Sequence, residues 1–323
     1  MPKARVKKSE HMVAVVQHPS VALHRDRTLK RGVELLEVAA AKGAKLVAFP
    51  ETWVPGYPEW LWRLRPGDDY TLTSDIHARL LDNSINLAAG ELKPMQTAAK
   101  RAKVTVGIGI HERDGDFSRG TLYNTFVLIG PDGSILNRHR KLVPTNPERM
   151  VWGMGDATGL RVVDTPAGRV GGLICWENYM PLARFSVFAQ GCEIYIAPTW
   201  DFGDGWVSTL RHIALEGRCW VLGIGSALRG KDIPRDFPHR AKLFPDQDDW
   251  FNSGDSVIVA PNGDVVAGPL HNEHGILYAD CDPARAAAAK RTLDVTGHYG
   301  RPDVFHLEVD RSARKPVEFA TRS

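Results

Sequence analysis

Gly43-Ala-Lys-Leu-Val-Ala-Phe-Pro-Glu-Thr-Trp53 and Gly191-Cys-Glu-Ile-Tyr-Ile-Ala-Pro-Thr-Trp200 follow one plan: a helix-stopping glycine, a short apolar run and a proline-bounded turn ending in tryptophan. Working outward, the match extends along both halves of the chain. Val13 to Gln17 is a β-branched strand, and Asp26 to Lys42 carries Leu29, Val33, Leu36 and Ala40 at helical spacing. Val104 to Ile110 corresponds to Trp220 to Gly225. The strand and turn Phe126-Val-Leu-Ile-Gly-Pro-Asp-Gly133 corresponds to Val257-Ile-Val-Ala-Pro-Asn-Gly263. Each half therefore predicts β, α, β, α, β and a hairpin. Strands that are apolar at nearly every position need cover on both faces. Helices supply one cover and the opposite sheet the other, so the expected α/β fold is a four-layer αββα sandwich with pseudo-two-fold related halves. A generic α/β chain without true symmetry is the other way to produce such a pattern.

The composition agrees with a globular α/β domain: 323 residues, 43% hydrophobic and 24% charged. Lys3, Arg5, Lys7 and Lys8 against Glu10 put the whole net charge of +3 into the first eleven residues, so no basic nucleic-acid face is expected. Met12 to Val16 is too short for a secretory apolar region, and no run approaches the roughly 18 residues of a membrane span. A cytoplasmic protein without nucleic-acid or membrane partners is expected. The four cysteines form no C-x-x-C pair and read as free thiols. The expected organisation is a flexible basic tail over 1–11, one domain over 12–282, and a C-terminal tail over 283–323 that docks on a neighbour.

Cys175 ends Val170-Gly-Gly-Leu-Ile-Cys175, and Pro181 opens a helix to Gln190, so the thiol sits in a strand-to-helix turn where nucleophiles are displayed and thiolate is favoured. A buried structural cysteine fits the same position. Glu51 leaves the end of a buried strand, where desolvation raises a carboxyl pKa and suits it to accept a proton; a turn-capping surface Glu is the alternative. Lys141 follows the second strand of the first hairpin. Its neighbours Arg138, Arg140 and Arg149 allow a solvated basic face, but in a dry site its ammonium would stabilise a thiolate and a negative intermediate. His271-Asn-Glu-His274 has ligand-like spacing but follows a hairpin turn in a polar stretch, and the Gly107/Gly109 and Gly223/Gly225 pairs lack a dinucleotide-binding context. Neither metal nor cofactor is expected.

Phe49-Pro-Glu-Thr-Trp-Val-Pro-Gly-Tyr-Pro58, Arg140-Lys-Leu-Val-Pro-Thr-Asn-Pro-Glu-Arg149 with Trp152-Gly-Met-Gly-Asp156, and Gly171-Gly-Leu-Ile-Cys-Trp-Glu-Asn178 resemble the three signature blocks of nitrilases, within the carbon-nitrogen hydrolase superfamily. Asp294-Val-Thr-Gly-His-Tyr-Gly-Arg-Pro-Asp-Val-Phe305 resembles the true nitrilase branch. The resemblance implies the αββα fold, Cys175 as nucleophile, Glu51 as general base, Lys141 as the cation beside the intermediate, and Glu148 as a fourth polar residue. It also places Tyr57, Trp152 and Trp176 in the substrate pocket, with core packing as the alternative role for these rings. Asn146-Pro147 departs from many relatives, which bears on substrate range. The implied reaction is hydrolysis of an organic nitrile to a carboxylic acid and ammonia through a covalent thioimidate and thioester. Trp53, Tyr57, Trp152 and Trp176 favour an aryl-bearing nitrile such as an arylacetonitrile. An amidase or carbamoylase of the superfamily, or an idle filament-forming scaffold, are the competing readings. The implied partners are a small nitrile, water, and further copies of the chain in a homodimer or spiral.

Overall fold

A computed structural model describes residues 10–65, 67–313 and 315–320. Strands β1 (Met12–Gln17), β2 (Leu46–Ala48), β3 (Thr105–Arg113), β4 (Leu122–Ile129) and β5 (Ile135–Arg140) build the first sheet. The second is built from β6 (Val163–Thr165), β7 (Gly168–Gly172), β8 (Ile194–Pro198), β9 (Trp220–Ile224), and β12 (Gly254–Val259) with β13 (Val265–His271). A small ribbon, β10 (Leu228–Arg229) with β11 (Trp250–Asn252), stands apart, and β14 (Gly275–Asp280) closes the first sheet. The orders are β14-β1-β2-β3-β4-β5 and β13-β12-β9-β8-β7-β6. In each sheet three central strands are parallel and the flanking pairs antiparallel, so the two halves share one topology.

The symmetry includes an exchange that the repeat did not predict. Strand β6 follows the first half but pairs with β7 of the second, and β14 follows the second half but pairs with β1 of the first. Each half thus lends its last strand to the other sheet, covering an edge that would otherwise expose unpaired N–H and C=O groups.

Period-two alternation sorts the strand residues into two cores. Val13, Val15, Leu46 and Ala48 face Ile194, Ile196, Leu222 and Ile258 between the sheets. Their neighbours Ala14, Val16 and Val47 face helices α1 (Arg25–Ala41) and α3 (Lys93–Ala102) through Leu29, Leu36, Met95 and Ala99. On the opposite outer face, α4 (Pro181–Phe188) and α5 (Asp204–Gly217) bury Val187, Phe188, Trp206, Leu210 and Ile213 against the second sheet. Full burial of each such large side chain contributes about 1.5–3 kcal/mol. Helix α2 (Tyr70–Asn83) instead packs Leu72, Ile76 and Leu80 into an aromatic cap with Trp60, Trp152, Trp200, Phe237 and Phe244, joined there by the short α6 (Arg240–Leu243).

No helix of the described residues is long and apolar enough to cross a membrane. The basic tail expected over 1–11 lies, apart from Glu10 and His11, outside the described residues. At the other end α7 (Pro283–Ala289), capped by Asp282, precedes an extended C-terminal segment.

Candidate active site

The site forms where turns from both sheets meet at one end of the sandwich, beyond the carboxyl ends of parallel strands. The chain leaves β2 through Phe49-Pro50-Glu51, and Gly109 of β3 lets that turn lie flat on the strand: a Cβ there would stand 2.3 Å from the Pro50 carbonyl oxygen and 2.4 Å from Thr52 N. Close backbone approach, and not nucleotide binding, accounts for this glycine. Lys141 follows β5 directly. Glu148 sits on a short 3-10 turn, Asn146–Met150, where its carboxylate accepts the N–H of Thr145 at 2.7 Å in a capping box.

Cys175 follows β7 at φ +50°, a left-handed conformation that a non-glycine residue adopts only when its surroundings impose it. The Asn178 side chain does so in part, donating to the carbonyls of Leu173 (3.0 Å) and Cys175 (2.7 Å) while its own oxygen accepts from Tyr195. The Thr199 hydroxyl, from the turn after β8, donates to Cys175 Sγ at 3.3 Å.

Lys141 Nζ donates to Glu51 Oε1 at 2.9 Å and to Glu148 Oε2 at 2.7 Å. Glu51 also accepts from Asn124 Nδ2 (2.6 Å) and, across the sheets, from the N–H of Trp200 (2.7 Å). Glu148 Oε1 accepts from the Tyr57 hydroxyl at 2.8 Å. All these groups are buried, Glu51, Lys141, Glu148 and Cys175 at 1%, 1%, 1% and 4% exposure, so their charges act through a poor dielectric.

Burial raises the Glu51 carboxyl above the ordinary range against the pull of Lys141, with the Glu148 charge adding to the rise. Burial also opposes the charge on Lys141, but Glu51, the Cys175 sulfur and Glu148 outweigh it and raise the ammonium's pKa. The Cys175 thiol is pushed up to about 12, first by burial and then by Glu51, with Lys141 only partly offsetting them. This corrects the expectation that the turn favours thiolate: a single 3-10 turn supplies too little dipole to overcome desolvation beside two carboxylates.

A cavity of about 290 Å³ opens over Cys175, walled by Tyr57, Glu59, Trp62, Trp176, Trp200, Phe202 and Phe251. Tyr57 stacks on Trp200 with centroids 4.3 Å apart. Trp176 is 47% exposed at the mouth and donates to Asp201 at 2.8 Å. Tyr57 and Trp176 therefore both line this cavity. Trp152 does not line the cavity: it packs behind Tyr57, edge-on at 5.9 Å, and donates to His111 at 3.0 Å. Trp53 lies in the helix-side core, bonded to the carbonyl of His18, because its turn points that ring back under α1. His271 pairs with Asp255 and His274 faces Asp232, so the two rings serve different carboxylates.

Asn124, Thr199, Trp200 and Glu59 were not found from sequence. The repeat carried a signal for two of them, since it aligns Thr199-Trp200 with Thr52-Trp53 and so puts both turns at the same end of the sandwich.

Residues 12–291 match the carbon-nitrogen hydrolase family. The chain is 41% identical over 305 residues to an aliphatic nitrilase of Sinorhizobium fredii (strain HH103), covering 94% of this chain and 97% of that protein. It is 38% identical to nitrilase 3 of Arabidopsis thaliana, covering 96% and 90%. A bifunctional nitrilase/nitrile hydratase of Nicotiana tabacum is also 38% identical, with 96% and 88% covered. Among solved structures, a carbon-nitrogen hydrolase from Helicobacter pylori G27 superposes with TM-score 0.66 at 21% identity, covering 92% of this chain and 97% of that one. The C. elegans NitFhit protein does so with TM-score 0.69 at 19% identity, covering 95% and 68%. These two similarities are of fold.

Proposed function

The chain belongs to the nitrilase branch of the carbon-nitrogen hydrolases, an enzyme family member acting on nitriles, and on that premise we propose that it converts an aryl-bearing nitrile to its acid and ammonia by thiol catalysis at Cys175. The supporting observation is the buried carboxylate–ammonium–carboxylate chain Glu51–Lys141–Glu148, whose Glu148 end lines, together with Cys175, an aromatic cavity.

With a thiol held near pKa 12, attack needs a base that removes the proton as the carbon–sulfur bond forms. Glu51 takes that proton, and the sulfur adds to the nitrile carbon. Charge developing on nitrogen is met by the Lys141 ammonium and the N–H of Trp176, and protonation of the nitrogen yields the thioimidate. Water, deprotonated by Glu51, adds to the thioimidate. Loss of ammonia leaves a thioester, and a second water releases the acid and restores the thiol. Glu148 holds Lys141 in place throughout. Expulsion of sulfur in place of ammonia would release amide, which accords with relatives named for both nitrilase and nitrile hydratase activity.

The walls Tyr57, Trp62, Trp176, Trp200, Phe202 and Phe251 support an aryl-bearing substrate. An aliphatic nitrile is the second reading, favoured by the name of the Sinorhizobium relative. An amidase or carbamoylase would share every step after the thioimidate. A complete polar chain argues for an active enzyme over an idle scaffold. Exposed Leu182, Tyr299 and Phe305 support self-association into a homodimer or larger assembly.

Brief exposure to a nitrile followed by intact-protein mass measurement should show an adduct on Cys175, absent from a folded Cys175→Ala variant that has lost turnover. Ammonia release from phenylacetonitrile should exceed that from an aliphatic dinitrile, from cyanide and from phenylacetamide. Turnover by Cys175→Ala would remove the nucleophile, and preference for the amide would replace nitrilase with amidase.

A further inference from the structure

Glu177 lies two residues beyond the nucleophile and touches no part of the cavity over Cys175. Its carboxylate is 2% exposed and spans the two sheets. Oε2 accepts the N–H of Ile174 at 2.7 Å, the residue before Cys175, on the chain leaving β7. Oε1 accepts the N–H of Leu142 at 2.7 Å, the residue after Lys141, on the chain leaving β5. Strands β5 and β7 belong to different sheets and share no ladder. One carboxylate therefore ties the backbone that carries the ammonium to the backbone that carries the thiol.

The bond to Ile174 alone would be ordinary end-satisfaction of a 3-10 turn, since Glu177 occupies its third position. Leu142 and His139 are outside that account. His139, 3% exposed on β5, directs Nε2 at both carboxylate oxygens, 3.0 and 3.2 Å away. Facing two acceptors, that nitrogen carries the proton. Burial alone would push the Glu177 carboxyl up, but His139 and the two backbone donors outweigh it and hold it below the ordinary carboxylate range, so the clamp stays anionic.

We propose that Glu177, backed by His139, is a positioning residue that fixes the distance between the Lys141 ammonium and the Cys175 thiol across the sheet interface. The inference rests on the roles given above to Cys175 and Lys141. A glutamine at 177 keeps one acceptor but turns an NH2 toward a backbone donor, leaving either Leu142 or Ile174 unpaired in the interior. A displacement of about 1 Å at a reacting pair is worth roughly 100-fold in rate.

Glu177→Gln, His139→Gln and His139→Leu should be compared for kcat, KM, Tm, and the rate at which iodoacetamide alkylates Cys175, read by mass. The proposal expects kcat for Glu177→Gln to fall about 10- to 100-fold with KM within about threefold, because Tyr57 and Trp200 are not held by the clamp. Alkylation should slow at least about fivefold as the ammonium leaves the sulfur. His139→Gln, which can still donate to the carboxylate, should keep kcat at least about tenfold above His139→Leu. A soluble Glu177→Gln protein with kcat and alkylation rate within twofold of the parent, whatever its Tm, overturns the proposal. If that variant does not fold, equal kcat in the two His139 variants overturns it, and tenfold separation supports it. Failure of the nitrile reading is distinct: the parent protein would then show no nitrile turnover, while the alkylation comparison still reads the clamp.

Discussion

At the scale of single residues, the decisive quantity is the cost of leaving water. Glu59 shows it plainly: 7% exposed in the cavity wall, with Arg63 at 3.3 Å, its carboxyl rises from 4.5 to about 7 because burial outweighs the arginine. A carboxyl raised in the folded state stabilises the fold fully below its unfolded pKa, and that contribution is lost as pH rises through the folded value. The window is therefore about pH 4.5 to 7, and a shift from 4.5 to about 7 corresponds to about 3 kcal/mol. Glu59→Gln removes the titration. Its Tm relative to the parent should increase by a few degrees between pH 4.5 and pH 8. A Tm difference that does not change with pH would show that Glu59 titrates normally. The same desolvation acts on Cys175 and Glu51, so the proposed attack by the thiol relies on a base in place of a lowered pKa. Cys175, Glu51 and Lys141 were legible as candidates because each stands at a strand end beside a turn. The direction of the thiol shift was not, because local sequence carries the turn but not the two carboxylates that fold against it.

At the scale of elements, the turn bearing Glu51 is positioned by contact with β3, and Gly109 is what permits it. Gly109→Ala would set a methyl against two backbone atoms that cannot rotate aside, 2.3 and 2.4 Å away. The turn must lift, with an overpacking cost of about 1–3 kcal/mol. We expect a lower Tm together with at least a tenfold fall in kcat, since Glu51 moves with its backbone. Unchanged kcat in that variant would detach Glu51 from the chemistry. Helices and strands themselves were readable from periodicity: the helix expected over 26–42 spans Arg25–Ala41, and the second hairpin forms as β12 and β13. The resemblance places Trp152 in the pocket, and Trp53 counts among the aromatic residues expected near the site. Their rings turn into the cores instead, because a turn residue's direction depends on what packs beneath it.

At the scale of the molecule, exposed apolar groups gather beside α4 and the C-terminal segment. Leu182, Tyr299 and Phe305 are 68%, 64% and 77% exposed around a groove of about 770 Å³. A surface of this kind is costly in a free monomer. Light scattering should give at least twice the chain mass, and Leu182→Glu should lower it; a stable monomer in the unsubstituted protein would end the self-association reading. Sequence by itself determined the paired βαβ halves, the double-sheet core and the turns that hold Cys175, Glu51 and Lys141, because apolar periodicity and turn chemistry operate over a few residues. Tertiary structure alone decided the exchange of β6 and β14, the contacts of Thr199 and Asn124 with the site, and the clamp at Glu177. Glu51 meets Lys141 across 90 residues and Trp200 across 149. Hydrogen-bond length and local dielectric at such meetings exist only once the two sheets have closed on each other.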